Sequence, residues 1–539
     1  MSRVKIPRFF FLLLIALFLA GSLLAAAAPK PPRLVVLVVV DQFRYDYLTR
    51  FSNLYTGGIR TLLSNGAVFT NAHLEHYPTA TGVGHSALLS GATPSFSGII
   101  GNEWYDRETK KTIAGVFDPD VKLLGAEKGS GASPRRLMVS TVGDELKMAA
   151  RGPSKVIGIS FKDRAAILTV GRTADGAYWY DSASGAMISS TFYFPDLPAW
   201  VKQFNAERPA DKFLGAEWKS SQGKVLRALP KEPGTKFYEA FERTPWANDF
   251  LLDFAQRAIE AERLGRDEHP DILSVSLSTT DYVGHSAGPD SEEIRELNLN
   301  TDRSLGRFFQ YLEKTIGPGG ALIVFTADHG VAPLPETQSG RRMPGGRLAS
   351  STLRKTVEAA LRAKFGAGEW VEGASEGAIW LNRETLRSRG LRQADVEEAA
   401  AEALAAVPQV FRVFTASRIS RGEYLNDFVG RRVANSYYPH RSADVIAILS
   451  PYWLVGSSGT SHGTPFSYDT HVPLIFFGPG IRPGFYDRTV AINDIAPTLA
   501  TLLEVETPTG SSGRVLYEML DQPRPGRPST RPAAAPAKK

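Results

Sequence analysis

Short runs of apolar, mostly β-branched residues recur along the chain, separated by stretches whose apolar positions fall three and four residues apart. The first run, LVVLVVV from Leu34, has no polar position at all, which predicts a strand buried on both faces. DILSVSL and ALIVFT repeat the pattern, and DVIAILS and PLIFFG are further strand candidates. Between two of them, EEIRELNLNTDRSLGRFFQYLEKTIG keeps Ile294, Leu297, Leu305, Phe308 and Leu312 on one helical face. Strands of this kind alternating with such helices predict an α/β fold, with a central, mostly parallel sheet flanked by helices.

Three of the runs end in the same chemistry. Asp41 follows the first, Asp281 and His285 follow the second in TTDYVGH, and Asp328 with His329 follows the third in TADHG. One Asp-His pair at a strand end is an ordinary turn feature, but open α/β sheets bind ligands outside the carboxyl ends of their strands, so three such ends converge on one rim. Two further segments complete the set: His462 between glycines in GTSHGTP, and Thr81 before a helical pattern in HYPTATGVGH. The donors sort into two groups, Asp281 with His285 and His462, and Asp41 with Asp328, His329 and the Thr81 oxygen. Two divalent ions are therefore expected, placed to clamp the attacking and leaving oxygens of an in-line phosphoryl transfer. A threonine hydroxyl becomes nucleophilic when a cation favours its alkoxide and a helix start favours the negative charge. From the residues alone Thr79 and Thr81 both remain candidates, and either would also serve as a helix cap.

Composition narrows the chemistry. Cysteine is absent from the 539 residues, so thiolate nucleophiles, disulfides and Cys-held metals are excluded. The net charge of +6 would suit a nucleic-acid partner, but four net positive charges lie within residues 1–30 and four within 521–539, leaving the body near −2. No specific nucleic-acid partner is expected. Arg3, Lys5 and Arg8 precede an apolar run ending in alanines, which predicts a signal peptide over residues 1–28 and an exported, periplasmic or secreted protein. The run from Phe9 to Ala28 is also long enough to span a bilayer, so a membrane association is expected only if that segment is retained. Residues 521–539 form a Pro/Ala-rich tail expected to be disordered.

The order of Asp41, the T-x-x-G-H of Thr81 to His85, the D-x-x-x-H of Asp281, the Asp328-His329 pair and the H-G of His462 resembles the alkaline phosphatase superfamily over roughly residues 33–510. VAINDIAPTLATLLEV is similar to a helix that recurs there. The closest branch is the threonine-nucleophile, phosphate-irrepressible alkaline phosphatases. That resemblance selects Thr81 over Thr79 and implies two zinc ions, small phosphorylated substrates and three substrate-binding residues, Asn102 in GIIGNEW and Lys162 and Arg164 in KVIGISFKDRAAIL. In extended chain, residues two apart share a face, which would aim the ammonium and guanidinium at one phosphate and favour a dianionic monoester over a diester. Val83 stands where many relatives have proline. His73, His76, His85, His269, His440 and His471 are expected to be packing or surface histidines, and segments 103–270 and 331–443 to be insertions capping the sheet. The expected function is an exported two-zinc monoesterase working through a phosphothreonine. The alternatives are a nucleotide phosphodiesterase or pyrophosphatase of the same superfamily, and a catalytically silent metal-binding envelope protein.

Overall fold

A computed structural model describes residues 31–149, 154–340 and 342–521. The expected signal peptide and nearly all of the expected tail lie outside the described residues. Among the described residues, no helix is long and apolar enough to cross a membrane.

The all-apolar run is β1 (Leu34–Val40), buried along its whole length. Further strands of the same sheet are β2 (Ala67–His73), β3 (Val156–Ser160), β4 (Gly176–Asp181), β5 (Ala186–Ser190), β6 (Asp271–Leu277) and β7 (Ala321–Thr326). Five adjacent strands, in the order β7-β1-β6-β3-β4, run parallel. Parallel strands need crossovers, and helices supply them. Among these are α1 (Thr81–Ser90), α2 (Asp163–Val170), α3 (Thr279–Ala287) and α4 (Glu292–Ile316). Helix α4 starts where the Ser291 hydroxyl accepts from the Ile294 N–H, and it buries Ile294, Leu297, Leu305, Phe308 and Leu312 as its periodicity predicts. The sheet is the expected central, mostly parallel one flanked by helices.

Register decides where the chemistry lands. Val40 pairs with Leu277 and Val39 with Thr326, so β6, β1 and β7 end level with one another. The residues that follow these three strands meet on one rim.

The segment after β7 builds a cap that belongs to the same compact body as the sheet. Helix α5 (Thr352–Phe365) and helix α6 (Gln393–Ala405) accompany an antiparallel sheet of β8 (Val371–Ser375), β9 (Ala378–Leu381), β10 (Val410–Thr415) and β11 (Val445–Leu449), in the order β8-β9-β11-β10. This unit has its own apolar core around Trp370, Val357, Leu361 and Leu404. DVIAILS is therefore a cap strand, not a strand of the central sheet, because its partners are cap hairpins; an apolar run carries no label for the sheet it joins. PLIFFG lies in β12 (His471–Phe477), which joins the central sheet antiparallel to β7 and β2. Segment 103–270, expected as a cap, instead supplies β3, β4 and β5 to the main sheet, since the five buried residues VIGIS are long enough to pair with β6. The helix expected near the C-terminus is α7 (Ile495–Leu503).

Candidate active site

Asp41 is the first residue after β1, Asp281 and His285 lie on α3 after β6, and Asp328 and His329 follow β7. Spacing of four places Asp281 and His285 on one helical face, with His285 Nε2 3.1 Å from Asp281 Oδ1. The loop before β12 brings His462 Nε2 to 3.6 Å from the same oxygen. On the other side His329 Nε2 is 3.5 Å from Asp41 Oδ1 and 3.4 Å from Asp328 Oδ2. Donor atoms of Asp281, His329 and His462, and of Asp41, Asp328 and His329, each fall within 4.8 Å of one another. All seven predicted donors, counting Thr81, thus meet in one place, and His329 stands between the two groups.

The donors suit metal ions. Each of these histidines spends Nδ1 on a backbone carbonyl: His285 on Thr460 at 2.8 Å, His329 on Gly330 at 2.9 Å and His462 on Thr79 at 2.7 Å. A carbonyl only accepts, so Nδ1 carries the proton and Nε2 presents its lone pair inward. Asp41 Oδ1 is buried without a hydrogen-bond donor among the described residues, and the buried Asp328 Oδ2 faces His85 Nδ1, at 3.1 Å, whose proton also faces the Thr81 carbonyl. Burial, then the neighbouring Asp328 carboxylate, pushes the Asp41 carboxyl well above its ordinary range. Burial lowers the pKa of His329 against the opposing pull of Asp328 and Asp281, and burial together with the neighbouring His329 imidazole lowers His462 well below its ordinary value. Buried carboxylates crowded against neutral imidazoles are stable only with added positive charge.

Helix α1 begins at Thr81, with Ala80 as its cap, so neither Thr79 nor Thr81 is the capping residue. The Thr81 Oγ1 lies 3.4 Å from His329 Nε2 and 3.3 Å from Lys162 Nζ. Val83 is buried within the helix and continues it. Gly84 is required here by contact: a Cβ would stand 2.3 Å from the Asp328 carbonyl oxygen. The helix that carries Thr81 therefore packs directly on the backbone that carries Asp328.

Lys162 and Arg164 do not share the face of an extended chain. Lys162 is the extended residue before α2 and Arg164 sits in that helix's first turn, because Asp163 to Val170 is a helix and not a continued strand. The buried Lys162 ammonium donates to Asp41 and Asp281, each at 2.6 Å, and so bridges the two groups of donors. Burial opposes its charge, but these carboxylates hold its pKa above the usual value. Arg164 lines the cavity beside the donors, with its Nε buried and unpartnered. Asn102 Oδ1 accepts from the Gly82 N–H at 2.7 Å, which leaves its amide N–H groups to donate into the cavity. That cavity, about 530 Å³, is walled on one side by His285, His462, Arg164 and Asn102 and on another by cap residues including Glu376 and Trp380.

Three supporting residues escaped the sequence reading. His85, expected as packing, is fully buried; its Nδ1 meets the Thr81 carbonyl at 2.9 Å and Asp328 Oδ2 at 3.1 Å. Its place four residues after Thr81 was the available signal. Gln42 donates from Nε2 to Asp281 at 2.7 Å and from its backbone to Asp328 at 3.2 Å. Asp469 ties loops together: its Oδ2 accepts from Thr464 N and Oγ1, both at 2.7 Å, and from Thr79 Oγ1 at 3.3 Å, while its carbonyl accepts from Gly330 N.

The family model for type I phosphodiesterase / nucleotide pyrophosphatase matches residues 35–471. The chain belongs to this family. It is 36% identical over 514 residues to alkaline phosphatase PhoV of Synechococcus elongatus, covering 90% of this chain and 92% of that protein. A Myroides odoratus protein named a calcium-transporting ATPase is also 36% identical, over 519 residues, covering 90% and 94%. The crystal structure of alkaline phosphatase PafA superposes with a TM-score of 0.85 at 34% identity, covering 92% of this chain and all of that one. The alkaline-phosphatase-like fold and the resemblance drawn from the motifs are thereby established.

Proposed function

We propose that this protein is an exported phosphatase that hydrolyses small phosphate monoesters through a phosphothreonine on Thr81, with two zinc ions held by Asp281, His285 and His462 and by Asp41, Asp328, His329 and Thr81. The observation that carries the reading is the Thr81 hydroxyl at a helix start, within 3.4 Å of His329 Nε2 and 3.3 Å of the Lys162 ammonium. Relatives named alkaline phosphatases, similar over most of their length, support it.

When bound, the zinc ions would favour the threonine alkoxide and neutralise charge on the oxygens that attack and leave. The chain supplies the rest. The start of α1 presents backbone N–H groups toward the phosphate. Asn102 and Arg164 line the cavity where its oxygens would lie, and Lys162 adds a cation next to the nucleophile. Thr81 Oγ1 forms the bond to phosphorus as the bond to the leaving oxygen breaks, and that oxygen takes a proton as the alcohol departs. Water then attacks phosphorus from the vacated side, the bond to Thr81 breaks, and inorganic phosphate is released.

Comparing p-nitrophenyl phosphate with bis-p-nitrophenyl phosphate tests the assignment. Preferred turnover of the monoester, with radiolabelled phosphate trapped on Thr81 after acid quench, is expected. Preferred turnover of the diester would instead favour the phosphodiesterase reading, and no turnover of either by zinc-loaded protein would leave the silent-protein reading.

A further inference from the structure

Glu376 occupies a position that turn chemistry does not favour. Ser375 pairs with Ala378, so β8 and β9 are joined by a two-residue turn, Glu376-Gly377. Both residues have positive φ, 42° and 98°. Turns of this kind prefer Asn, Asp or Gly at the first position, and a long side chain at positive φ is strained. The turn alone therefore gives no reason for a glutamate.

What the glutamate reaches is the cavity. Its Oε2 lies 3.9 Å from the place a Cβ on Gly463 would occupy, next to His462, and its carboxyl feels the His285 imidazole and the Glu103 carboxylate. His285 and His462 belong to the donor group without Thr81, the one that on the reading above would face the leaving oxygen. Of the eight cap residues lining the cavity, only Glu376 is charged; on the rest of the lining Glu103 and Asp163 are the other carboxylates and Arg164 the only lysine or arginine among the described residues. The remaining cap wall is serine, alanine, isoleucine and tryptophan, which accepts an alcohol without choosing its charge.

We propose that Glu376 is a specificity-determining residue that selects monoesters by the charge of the leaving group, favouring neutral and cationic alcohols and disfavouring those that carry a carboxylate or a second phosphate. The inference rests on the monoesterase reading above. Every substrate brings the same phosphate, so repulsion between Glu376 and the phosphate is common to all of them and cancels in a ratio. Only the far end of the leaving group differs. A full charge several ångströms from a partly solvated carboxylate alters binding about threefold to tenfold, and changing its sign roughly squares the contrast.

The test uses three substrates of nearly equal length: 2-aminoethyl phosphate, 2-hydroxyethyl phosphate and phosphoglycolate. Their kcat/KM values are measured at alkaline pH for zinc-loaded wild type, Glu376→Gln and Glu376→Gly. Glycine suits the positive φ and so guards against a turn that fails to form with glutamine. In both variants the ratio of aminoethyl phosphate to phosphoglycolate should fall about tenfold relative to wild type, with hydroxyethyl phosphate intermediate. The order should steepen with lower ionic strength. A ratio unchanged within about twofold, or an equal change in all three substrates, overturns the proposal while leaving the monoesterase reading intact. Wild type that turns over none of the three while cleaving a diester overturns both.

Discussion

Replacing Asp469 by asparagine should make the protein more stable in alkali, although it removes a charged group from the centre of a hydrogen-bond network. The carboxyl is fully buried, and Oδ1 has no partner. Burial pushes its pKa from the ordinary 3.8 to about 7, with the bonds from Thr464 and Thr79 pulling the other way. Between about pH 4 and pH 7 the unfolded chain has released this proton while the folded chain still holds it. Folding then takes up a proton, so stability falls as pH rises through that window and levels off above it. The full displacement corresponds to about 4 kcal/mol at about 1.36 kcal/mol per pKa unit. Asparagine keeps an acceptor for Thr464 and does not titrate, but its amide N–H groups meet the side where Oδ1 found no partner, at a cost of about 1–3 kcal/mol. The net gain at pH 9 is about 1–3 kcal/mol, a few degrees in Tm for a domain of this size. Thermal unfolding of zinc-loaded wild type and variant from pH 5 to pH 9 measures the difference, and effects common to both, such as loss of metal in acid, cancel. The difference should grow in the variant's favour up to about pH 7 and then stay flat. A difference independent of pH, or one that moves toward the wild type, would refute the claim that this carboxyl is held protonated by burial.

Zinc-loaded protein should carry close to two equivalents by elemental analysis, and full activity with one equivalent or none would contradict the two-ion site. Thr81→Ala should abolish turnover while retaining most of the zinc, whereas Thr79→Ala, which removes the acceptor for Gly463 N, should keep measurable activity; phosphate trapped on Thr79 would reverse the assignment. Replacing Lys162 and Arg164 together by alanine should depress monoester kcat/KM on the order of a hundredfold or more, since each charge-assisted bond contributes about 1.5–3 kcal/mol, and should depress diester kcat/KM less. An equal fall in both would mean that the pair serves the metal site, as the Lys162 contacts with Asp41 and Asp281 allow.

The rim was legible because strand and ligand lie next to each other in the chain. Asp41 follows β1 directly, the Asp328-His329 pair comes one residue after β7, and Asp281 lies in the first turn of the helix after β6, so an apolar run pointed at each of them. What the sequence hid was partnership over long distances. VIGIS does not announce that it pairs with β6, more than a hundred residues away, and VIAIL looks the same in a cap sheet as in a central one. Lys162 and Arg164 were placed on the wrong local geometry because the helix start between them is marked only by Asp163. His85 and Asp469 act through other residues, and a supporting role leaves no spacing signature of its own.

The cap's separate core has a consequence for how this enzyme can change. Trp370, Val357 and Leu404 pack behind the β8–β9 hairpin in a cluster of their own, while Trp380 of the hairpin also reaches the main core. The cap side of the cavity and the rim of candidate metal donors thus rest largely on different sets of side chains. On the monoesterase reading, a substitution in the hairpin away from Trp380 should shift which esters are admitted more than it disturbs the candidate metal donors. A fold built this way would let substrate preference change in small steps while the candidate metal site stays in place.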